Sequence, residues 1–499
     1  MGNQIKSFRQ IIIFSVILLL AGFIRLWGAW RGDFAYTYDV GRDLLAVRSL
    51  VVDQKLTLLG PTTGIAGVFY GPWWYYFLAI PFLIFQGNPV GIAFFMGLVG
   101  MIIVFLGFVL GKLIFGVKNQ AWPLILASLL AFSSSHAEMS TQIWSPNLAP
   151  LFIMLWFLFF LAFLKSQKLA FFWLGFFSAL ILESEVAFGI FFILAEIFAL
   201  IACFRKEVSF KKALLFFLGL LVIFSPRILF ETRHNFLVTR NALNFLREKG
   251  LAVGGDGNLL GRSQERLMAF ISVWHNALAR GNSFLGLVLL ILGIASFFFL
   301  RKNSSKTEKR IVNFLILLIL GLYLLFSFYG GDFWWYYLIG LPTIYTLLFI
   351  FLLHRLYQVI PRKVFWLGLI FYLVFTAQPA KIFMTLRQPG WEGDAAVYRN
   401  VKAVVEGVFQ DADGEPFSCV VYTPPMTPYA YQYLFTWLSE KKYHNLPRPE
   451  NELVYFIIEP NAYDPDRQRD WLLAHGGDGK IVFEKKVKGG ITLQKRRRE

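Results

Sequence analysis

The feature of this chain that most constrains its fold is a series of apolar segments, each close to the length needed to cross the hydrocarbon core of a membrane. They recur from residue 11 to about residue 384. The chain as a whole is 57% hydrophobic, with a mean hydropathy of +0.57. Backbone polar groups in lipid must be satisfied within the segment itself, so these segments are predicted to be helices. An ordinary soluble globular protein is excluded.

The apolar segments predict eleven membrane-spanning helices, with twelve or thirteen as alternatives. The segment 73–86 is apolar but short and contains Pro81, which favours an interfacial or re-entrant element over a crossing. The first segment ends without a small-residue cleavage site, so we interpret it as a retained helix rather than a signal peptide. The predicted spans are 11–30, 90–111, 120–136, 148–164, 169–182, 186–204, 213–230, 281–300, 311–329, 335–354 and 364–384.

Clusters of Lys and Arg alternate along the chain with acidic and aromatic loops. Cations in short loops stay on the cytoplasmic side, which predicts a multi-pass protein of the plasma (inner) membrane with a cytoplasmic N-terminus. The long outer loops are then 31–89 and 231–280. The same clusters account for the net charge of +17 without any nucleic-acid binding. The basic clusters are Lys6/Arg9, Lys112/Lys118, Lys165/Lys168, Arg205/Lys206/Lys211/Lys212, Arg301/Lys302/Lys306/Lys309/Arg310 and Arg355/Arg362/Lys363.

The chain becomes polar after about residue 385. We expect a membrane domain at 1–389 and a small soluble α/β domain at 390–499 on the outer face. The predicted fold class is therefore an α-helical polytopic membrane protein with a C-terminal extracytoplasmic α/β domain. Alternating apolar residues predict strands at 417–423, 453–459, 480–487 and 491–494, and helical periodicity predicts helices at 395–409 and 467–475.

The first outer loop contains three charged residues at helical spacing. Asp39, Arg42 and Asp43 stand at i, i+3 and i+4, which places them on one face of a helix. The apolar residues that follow predict that this helix lies on the membrane surface. A carboxylate there could take a proton from an acceptor hydroxyl or amine, so Asp39 and Asp43 are candidate catalytic residues and Arg42 is a candidate for substrate binding. The alternative is a solvated helix N-terminus, where Asp is favoured in any case.

Aromatic and acidic residues mark further outer boundaries. Tyr70, Trp73 and Tyr75 are candidates to line a site for a sugar ring or an isoprenoid chain, with a membrane-interface belt as the alternative. Glu185 lies in a short outer turn, where a charge is costly unless it faces a cavity, an interface or a partner. It is therefore another candidate for substrate binding.

A group of charged residues lies near the outer end of the predicted span 213–230. Arg227, Glu231, Arg233 and His234 are candidates for substrate binding, because Arg binds phosphate oxygens through two parallel hydrogen bonds. The alternative is an internal salt-bridge network.

These motifs together resemble the family 39 glycosyltransferases of the C-type superfamily. That family includes the protein O-mannosyltransferases, which use dolichyl-phosphate mannose, and the lipid A aminoarabinose transferases. The resemblance rests on an acidic-Arg motif after the first span, an aromatic segment around Gly71-Pro72 roughly 30 residues later, and many spans before a soluble outer domain. It covers roughly residues 10–390.

The resemblance implies that Asp39 is the catalytic base or the carboxylate that binds the acceptor. Val40 stands where the family has a Glu after that Asp. The family commonly has His or Lys before a Pro-Pro pair, but this chain reads Tyr70-Gly71-Pro72 and so has no cation at that point.

A second family motif, Asp-Pro, corresponds to Ser145-Pro146-Asn147, which has no carboxylate. Glu138 and His136 lie a little upstream and are the candidate replacements. Glu138 therefore joins the candidate catalytic residues.

The resemblance implies an integral-membrane glycosyltransferase that moves a sugar from a polyprenyl-phosphate donor to an extracytoplasmic acceptor, with inversion at the anomeric carbon. The acceptor is a protein, a lipid or a glycan, and the expected partners are membrane lipids, the lipid-linked donor and this acceptor. The competing hypotheses are a transporter or flippase of lipid-linked glycans and a non-catalytic scaffold. Apolar mid-span residues favour the enzyme.

The sequence predicts no metal site, because the six His residues show no HxxxH or HExxH spacing. A divalent metal stays open on the resemblance alone, since some C-type relatives use one and others do not. Cys203 and Cys419 define no disulfide framework. The polyprenyl-phosphate sugar enters as a substrate rather than a cofactor.

Overall fold

The computed structural model describes residues 2–116, 119–249, 259–299, 305–377, 394–424, 427–475 and 479–498. The part before residue 378 is helical. Its helices are α1 (Gly2–Arg31), α2 (Tyr38–Val51), α3 (Trp73–Ile84), α4 (Pro89–Phe115), α5 (Ala121–Phe132), α6 (Ser134–Met139), α7 (Ala149–Leu164), α8 (Ala170–Ser184), α9 (Val186–Phe204), α10 (Phe210–Arg233), α11 (Leu237–Lys249), α12 (Leu259–Ala279), α13 (Ser283–Phe299), α14 (Lys306–Phe328), α15 (Leu341–Tyr357) and α16 (Arg362–Ala377).

Seven described helices are long and apolar enough to cross a membrane, or eight if the bent pair α12–α13 counts as one span. Three shorter apolar helices, α3, α5 and α8, accompany them. The prediction of a multi-pass helical membrane protein is confirmed, whereas the number of eleven spans stays a prediction. The last predicted span, 364–384, is described only as far as residue 377, and its remainder lies outside the described residues.

The helix ends beside the Lys and Arg clusters meet at one end of the bundle, which we call the basic end. There the Gln10 side-chain amide donates to the Gln120 carbonyl at 2.8 Å. Arg310, near the start of α14, pairs at 2.6 Å with Glu207 of the loop between α9 and α10. Loops that the sequence assigns to one side of the membrane are therefore neighbours in the structure.

The opposite end of the bundle carries the C-terminal sheet, and we call it the sheet end. The Tyr433 hydroxyl donates to the Gly87 carbonyl before α4 at 2.6 Å. The Tyr36 N–H, just after α1, donates to the Ala396 carbonyl at 2.7 Å. The basic and acidic loops are thus segregated as predicted, while the side of the membrane that each end faces stays a prediction.

Helix α3 does not cross the bundle. Near its start, the Trp73 indole N–H donates to the Ile223 carbonyl of α10 at 2.7 Å. Just past its other end, the Gln86 carbonyl accepts from the Trp437 indole N–H of the C-terminal part at 3.0 Å. Trp74, also near the start, bonds to Asp43 of α2, so both ends of α3 contact elements of the sheet end. The re-entrant or interfacial character of α3 stays a prediction.

The predicted outer loop at 231–280 contains two helices, because the described residues there form α11 and α12. Its position outside the membrane stays a prediction. Helix α12 buries Phe270, Trp274 and Leu278 against α14 and α15. Arg262 and Arg266 lower the mean hydropathy of this stretch, so its sequence does not predict a membrane span. Residues 250–258 lie outside the described part.

The C-terminal part contains a four-stranded sheet in the order β1-β2-β4-β3. Strand β1 runs parallel to β2, and β4 runs antiparallel to both β2 and β3. The predicted strands and helices are confirmed, whereas the helix α18 was not predicted. The predicted domain boundary at 389/390 lies outside the described residues. The elements are α17 (Tyr398–Ala412), β1 (Phe417–Tyr422), α18 (Tyr429–Leu438), β2 (Leu453–Ile458), α19 (Pro465–Ala474), β3 (Lys480–Lys486) and β4 (Thr492–Arg497).

The unpredicted helix α18 is the element that joins the sheet to the membrane helices. It packs directly on α2, and Gly41 is the point of closest approach. A Cβ atom on Gly41 would overlap the backbone of Tyr429 and Ala430. The glycine between Asp39 and Arg42 is therefore required by packing, and α18 fixes the position of the helix that carries them.

Candidate active site

Helix α2 is amphipathic, as its sequence pattern predicts. Val40, Leu44 and Val47 are buried, since i, i+4 and i+7 lie on one stripe of a helix. Asp39 lies in the first turn, where a negative charge is favoured by the helix dipole. The apolar stripe thus packs α2 against its neighbours and leaves Asp39 at the surface of a cavity.

Arg42 holds both carboxylates of the motif. Its guanidinium contacts Asp39 Oδ1 at 2.9 Å and Asp43 Oδ1 at 2.8 Å. The two acids differ in burial, since the Asp39 side chain is 43% exposed and the Asp43 side chain only 2%. The Trp74 indole N–H donates to Asp43 Oδ2 at 2.7 Å. Both oxygens of Asp43 are therefore engaged, whereas Asp39 keeps an oxygen that no described residue binds.

Burial raises the pKa of the Asp43 carboxyl to about 6, against the lowering effects of Arg42 and Trp74. Asp43 is thus a costly buried charge that survives near neutral pH because the guanidinium and the indole compensate it. With both oxygens engaged and its side chain only 2% exposed, Asp43 presents no open oxygen to a substrate. The Tyr75 hydroxyl lies next to the Arg42 guanidinium.

The loop between α2 and α3 covers this motif. Thr62 and Phe69 pair as a short antiparallel bridge, and Arg42 reaches the Thr62 hydroxyl at 3.4 Å. The Tyr70 hydroxyl donates to Glu185 Oε2 at 3.2 Å. The structure therefore brings Tyr70 and Glu185, which are far apart in sequence, to one wall.

A second charged pair lies directly beside this wall. Arg227 contacts Glu183 Oε1 at 2.9 Å, and the other oxygen of Glu183 accepts from the Gly71 N–H. A Cβ on Gly71 would overlap the Glu183 carboxylate. The absence of a side chain at Gly71 therefore leaves room for the Glu183 carboxylate, and a guanidinium from α10 lies beside that carboxylate.

Two cavities open at this region. The larger, of about 860 Å³, lies between the start of α2 and the C-terminal part, and Asp39 lines it. The smaller, of about 290 Å³, lies among α3, α7 and α8; its walls are mainly apolar and include Trp73, Trp74 and Glu183. The site thus offers one space into which carboxylates open and one mainly apolar space beside Trp74, the partner of Asp43.

Several predicted residues lie elsewhere. Glu138 lines a separate cavity of about 400 Å³ together with Arg280. Glu231 is buried and accepts from the Thr239 N–H at 3.1 Å. His234 is exposed and stacks on Phe230, its own neighbour on α10. The structure does not bring these residues into the Asp39 cavity.

Arg233 is also exposed. It follows Arg227 by six positions, which turns it to a different face of α10. Of the predicted phosphate ligands, Arg227 is the one that the structure joins to the wall formed by Glu183 and Gly71.

The candidate residues drawn from the sequence do not include Trp74, Glu183 or Tyr336. Trp74 belongs to the WWYY run, but nothing in that run shows that its indole N–H reaches Asp43. Tyr336 lies within electrostatic range of both Asp39 and Glu185. The sequence feature that could have indicated Tyr336 is the run of four aromatic residues at 334–337 in a predicted outer loop.

The fold defines a class, a polytopic membrane protein with many helices before a C-terminal sheet domain, and solved structures share this fold. The fold expected from the sequence resemblance is confirmed. No family model matches the chain, and no curated protein matches it either.

The particular likeness is to ArnT from Cupriavidus metallidurans. Its apo crystal structure matches with a TM-score of 0.57 and 12% identity, over 98% of this chain and 98% of that chain. The structure of ArnT bound to undecaprenyl phosphate matches with a TM-score of 0.50 and 11% identity, over 97% of each chain. At such identities the likeness establishes the fold alone.

Proposed function

We propose that this protein is an integral-membrane glycosyltransferase that moves a sugar from a polyprenyl-phosphate donor to an extracytoplasmic acceptor. The observation that carries the proposal is the Asp39 carboxylate, held by Arg42 and exposed to a cavity. The fold shared with ArnT, which has been crystallised with undecaprenyl phosphate, supports a lipid-phosphate donor.

Asp39 is the general base of the proposed reaction. Its unengaged oxygen takes the proton of the acceptor hydroxyl or amine as the acceptor atom attacks the anomeric carbon. The bond between the anomeric carbon and the phosphate oxygen breaks, and the polyprenyl phosphate leaves with the electron pair. A direct displacement of this kind inverts the configuration at the anomeric carbon.

Arg227 is the proposed cation for the leaving phosphate. It stands beside Gly71 through the shared Glu183 carboxylate, and guanidinium groups stabilise phosphate charge through directed hydrogen bonds. The adjacent apolar cavity, with Trp73 and Phe77 in its wall, suits the first isoprene units of the donor. The donor phosphate would therefore lie between a lipid-accessible space and Asp39.

Arg42 and Asp43 act through Asp39. Asp43 anchors one side of the guanidinium, and the guanidinium then fixes the Asp39 carboxylate. We assign these two residues positioning roles, with Trp74 completing the anchor.

The orientation of the protein in the membrane is part of the proposal. The sheet end, with Asp39 and the C-terminal domain, faces outward, and the basic end faces the cytoplasm, in keeping with short-loop cations. An outward site explains a lipid-phosphate donor, because such a donor can be carried across the membrane without a nucleotide.

The test is a transfer assay with the purified full-length protein in lipid. Labelled polyprenyl-phosphate sugars are incubated with an extract that contains candidate protein, lipid and glycan acceptors. We expect transfer by the wild type, and a fall of about 10²- to 10⁴-fold in turnover for Asp39→Asn, the range that general-base catalysis contributes. The apparent KM for the donor should stay within about 2-fold, because the positions of Arg227 and Glu183 do not depend on Asp39.

The matched control is Glu207→Gln, which removes an exposed carboxylate paired with Arg310 at the basic end. It should transfer like the wild type. Transfer by Asp39→Asn at the wild-type rate, with the protein folded, would assign the base to another residue.

A further inference from the structure

The cavity of about 860 Å³ beside Asp39 is shared between the membrane helices and the C-terminal domain. Asp39 and Tyr38 come from the start of α2, while Asp394, Tyr429 and Glu459 come from the C-terminal part. Its volume lies within the range of about 300–1,000 Å³ that is typical of ligand sites. Neither half of the chain forms this space alone.

We propose that this cavity is the acceptor subsite and that it binds the end of a glycan that is uncharged or carries an amine. The inference rests on the proposed function, because it takes Asp39 to be the base. It goes further in naming the class of acceptor and the C-terminal residues that select it.

The charge of the cavity disfavours the donor phosphate and favours hydroxyl or amine groups. Arg42 pairs with Asp39, so the unpaired negative charge comes from Asp394 and Glu459. Three carboxylates line it, those of Asp39, Asp394 and Glu459, and none of its described lining residues is Lys or Arg. An anionic ligand would meet repulsion from these carboxylates. Hydroxyl and ammonium groups would instead donate hydrogen bonds to them.

Glu459 is the residue of the C-terminal part that best indicates a ligand. Its side chain is buried, at 8% exposure, and its Oε1 accepts from the Tyr431 hydroxyl at 2.9 Å. Its Oε2 has no partner among the described residues, and the residue lines the cavity, so this oxygen is available to a ligand. Burial raises the pKa of Glu459 to about 7, and the charge of Asp394 adds to this effect. A buried carboxyl with one unused oxygen is expensive unless a ligand engages it.

Aromatic rings and backbone donors complete the features that a sugar requires. The rings of Tyr38 and Tyr429 lie 4.9 Å apart at the entrances to α2 and α18. The Tyr36 hydroxyl, also in the lining, is buried and has no hydrogen-bond partner within the described ranges. The first-turn N–H groups of a helix have no intrahelical partner, and the Thr37 side chain does not cap those of α2. A sugar presents flat apolar faces for the rings and hydroxyls that both donate and accept.

The inference is tested by binding, separately from transfer. Full-length protein in lipid nanodiscs is titrated by calorimetry with three trisaccharides of similar size, namely tri-glucosamine, maltotriose and trigalacturonate. We expect tri-glucosamine and maltotriose to bind, and trigalacturonate to bind at least about 10-fold more weakly, since about 1.4 kcal/mol of repulsion suffices for that factor.

Variants of the C-terminal carboxylates identify the site. Glu459→Gln keeps an acceptor for the Tyr431 hydroxyl and should weaken tri-glucosamine about 10-fold, the scale of a hydrogen bond to a charged group. Asp394→Asn, at an exposed position, should weaken it less. The matched control Glu415→Gln removes a carboxylate that pairs with Arg497 outside the cavity and should leave the Kd unchanged.

Three results would overturn the inference. One is equal or tighter binding of trigalacturonate, and another is an unchanged Kd for tri-glucosamine in both Glu459→Gln and Asp394→Asn. The third is binding of a tri-lysine peptide where no trisaccharide binds, which would make the subsite one for peptides. Failure of the proposed function looks different, because trisaccharides would still bind in a protein that transfers no sugar from any polyprenyl-phosphate donor.

Discussion

The two ends of the helical bundle both carry paired acids and bases, but they differ in what they leave exposed. At the basic end Glu308 contacts Arg355 at 3.2 Å and His354 at 3.6 Å, and the His354 ring lies against Trp122. That carboxylate is enclosed by its partners. Its role is to hold α14 and α15 together.

At the sheet end Arg42 serves two carboxylates, and only Asp43 is enclosed. Asp39 stays exposed beside a cavity. Ion pairing therefore occurs at both ends, and it does not by itself mark a functional site. The distinguishing feature is a carboxylate that is fixed by a partner and still open to a ligand.

After Asp39→Asn, the largest effect that separates the two ends is expected for the arginines. Arg227→Gln should raise the KM for the polyprenyl-phosphate donor about 10- to 100-fold, since a hydrogen bond to a charged group contributes roughly 1.5–3 kcal/mol. Arg310→Gln, which breaks the pair with Glu207 at the basic end, should leave this KM unchanged. Steady-state kinetics in lipid provide the measurement. An unchanged KM for Arg227→Gln, together with a lower melting temperature, would reduce Arg227 to a structural residue.

The second contrast concerns pH, because the acids at the two ends have pKa values shifted in opposite directions. Burial raises the pKa of Asp43 from 3.8 to about 6. The folded protein therefore holds this proton more tightly than the unfolded chain. The stability that Asp43 contributes is fully present below pH 4 and is lost as the pH rises through about 6, by up to about 3 kcal/mol.

Thermal unfolding of the wild type and of Asp43→Asn between pH 4 and 7 checks this sign. The melting temperature of Asp43→Asn should rise relative to that of the wild type as the pH increases from 4 to 7. At the basic end the hydrogen bond from Arg310 lowers the pKa of Glu207. The melting temperature of the wild type should therefore rise relative to that of Glu207→Gln as the pH rises. A difference between the wild type and Asp43→Asn that stays constant with pH would contradict the burial of that carboxylate.

The fold and the site could be predicted from the sequence to different extents. Apolar length and basic loops indicated the membrane helices, and alternation indicated the strands. Both are local properties of the chain. Helix α12 was missed because Arg262 and Arg266 interrupt its apolar face, and α18 because its tyrosines and Pro428 resemble a loop.

The candidate site shows the same limit. The spacing of Asp39, Arg42 and Asp43 was sufficient to place them on one face, since helical periodicity is local. The contacts of Asp43 with Trp74 and of Gly71 with Glu183 join residues 31 and 112 positions apart. Such contacts follow from tertiary packing, which no short motif encodes.

The smallest expected effect concerns the contact between the sheet end and the C-terminal part, compared with an open surface of the C-terminal part. Gly41→Ala should lower the free energy of unfolding by about 1–3 kcal/mol, because its Cβ would push α18 away from α2. The matched control is Gly407→Ala on α17, where a Cβ meets no atom within 4 Å. This change should raise the free energy of unfolding by about 0.5–1 kcal/mol. Thermal unfolding in detergent measures both. Equal effects of the two changes would contradict the direct packing of α18 on α2.

The orientation of the two ends is the central claim, because a lipid-phosphate donor and an outer acceptor require Asp39 to lie outside the cytoplasm. In a Cys203→Ser, Cys419→Ser background, Leu56→Cys would label the sheet end and Lys206→Cys the basic end, since Leu56 is 83% exposed and Lys206 is also exposed. A membrane-impermeant maleimide should modify Leu56→Cys in intact cells and Lys206→Cys only after permeabilisation. The reverse pattern would place Asp39 in the cytoplasm and contradict the proposed function.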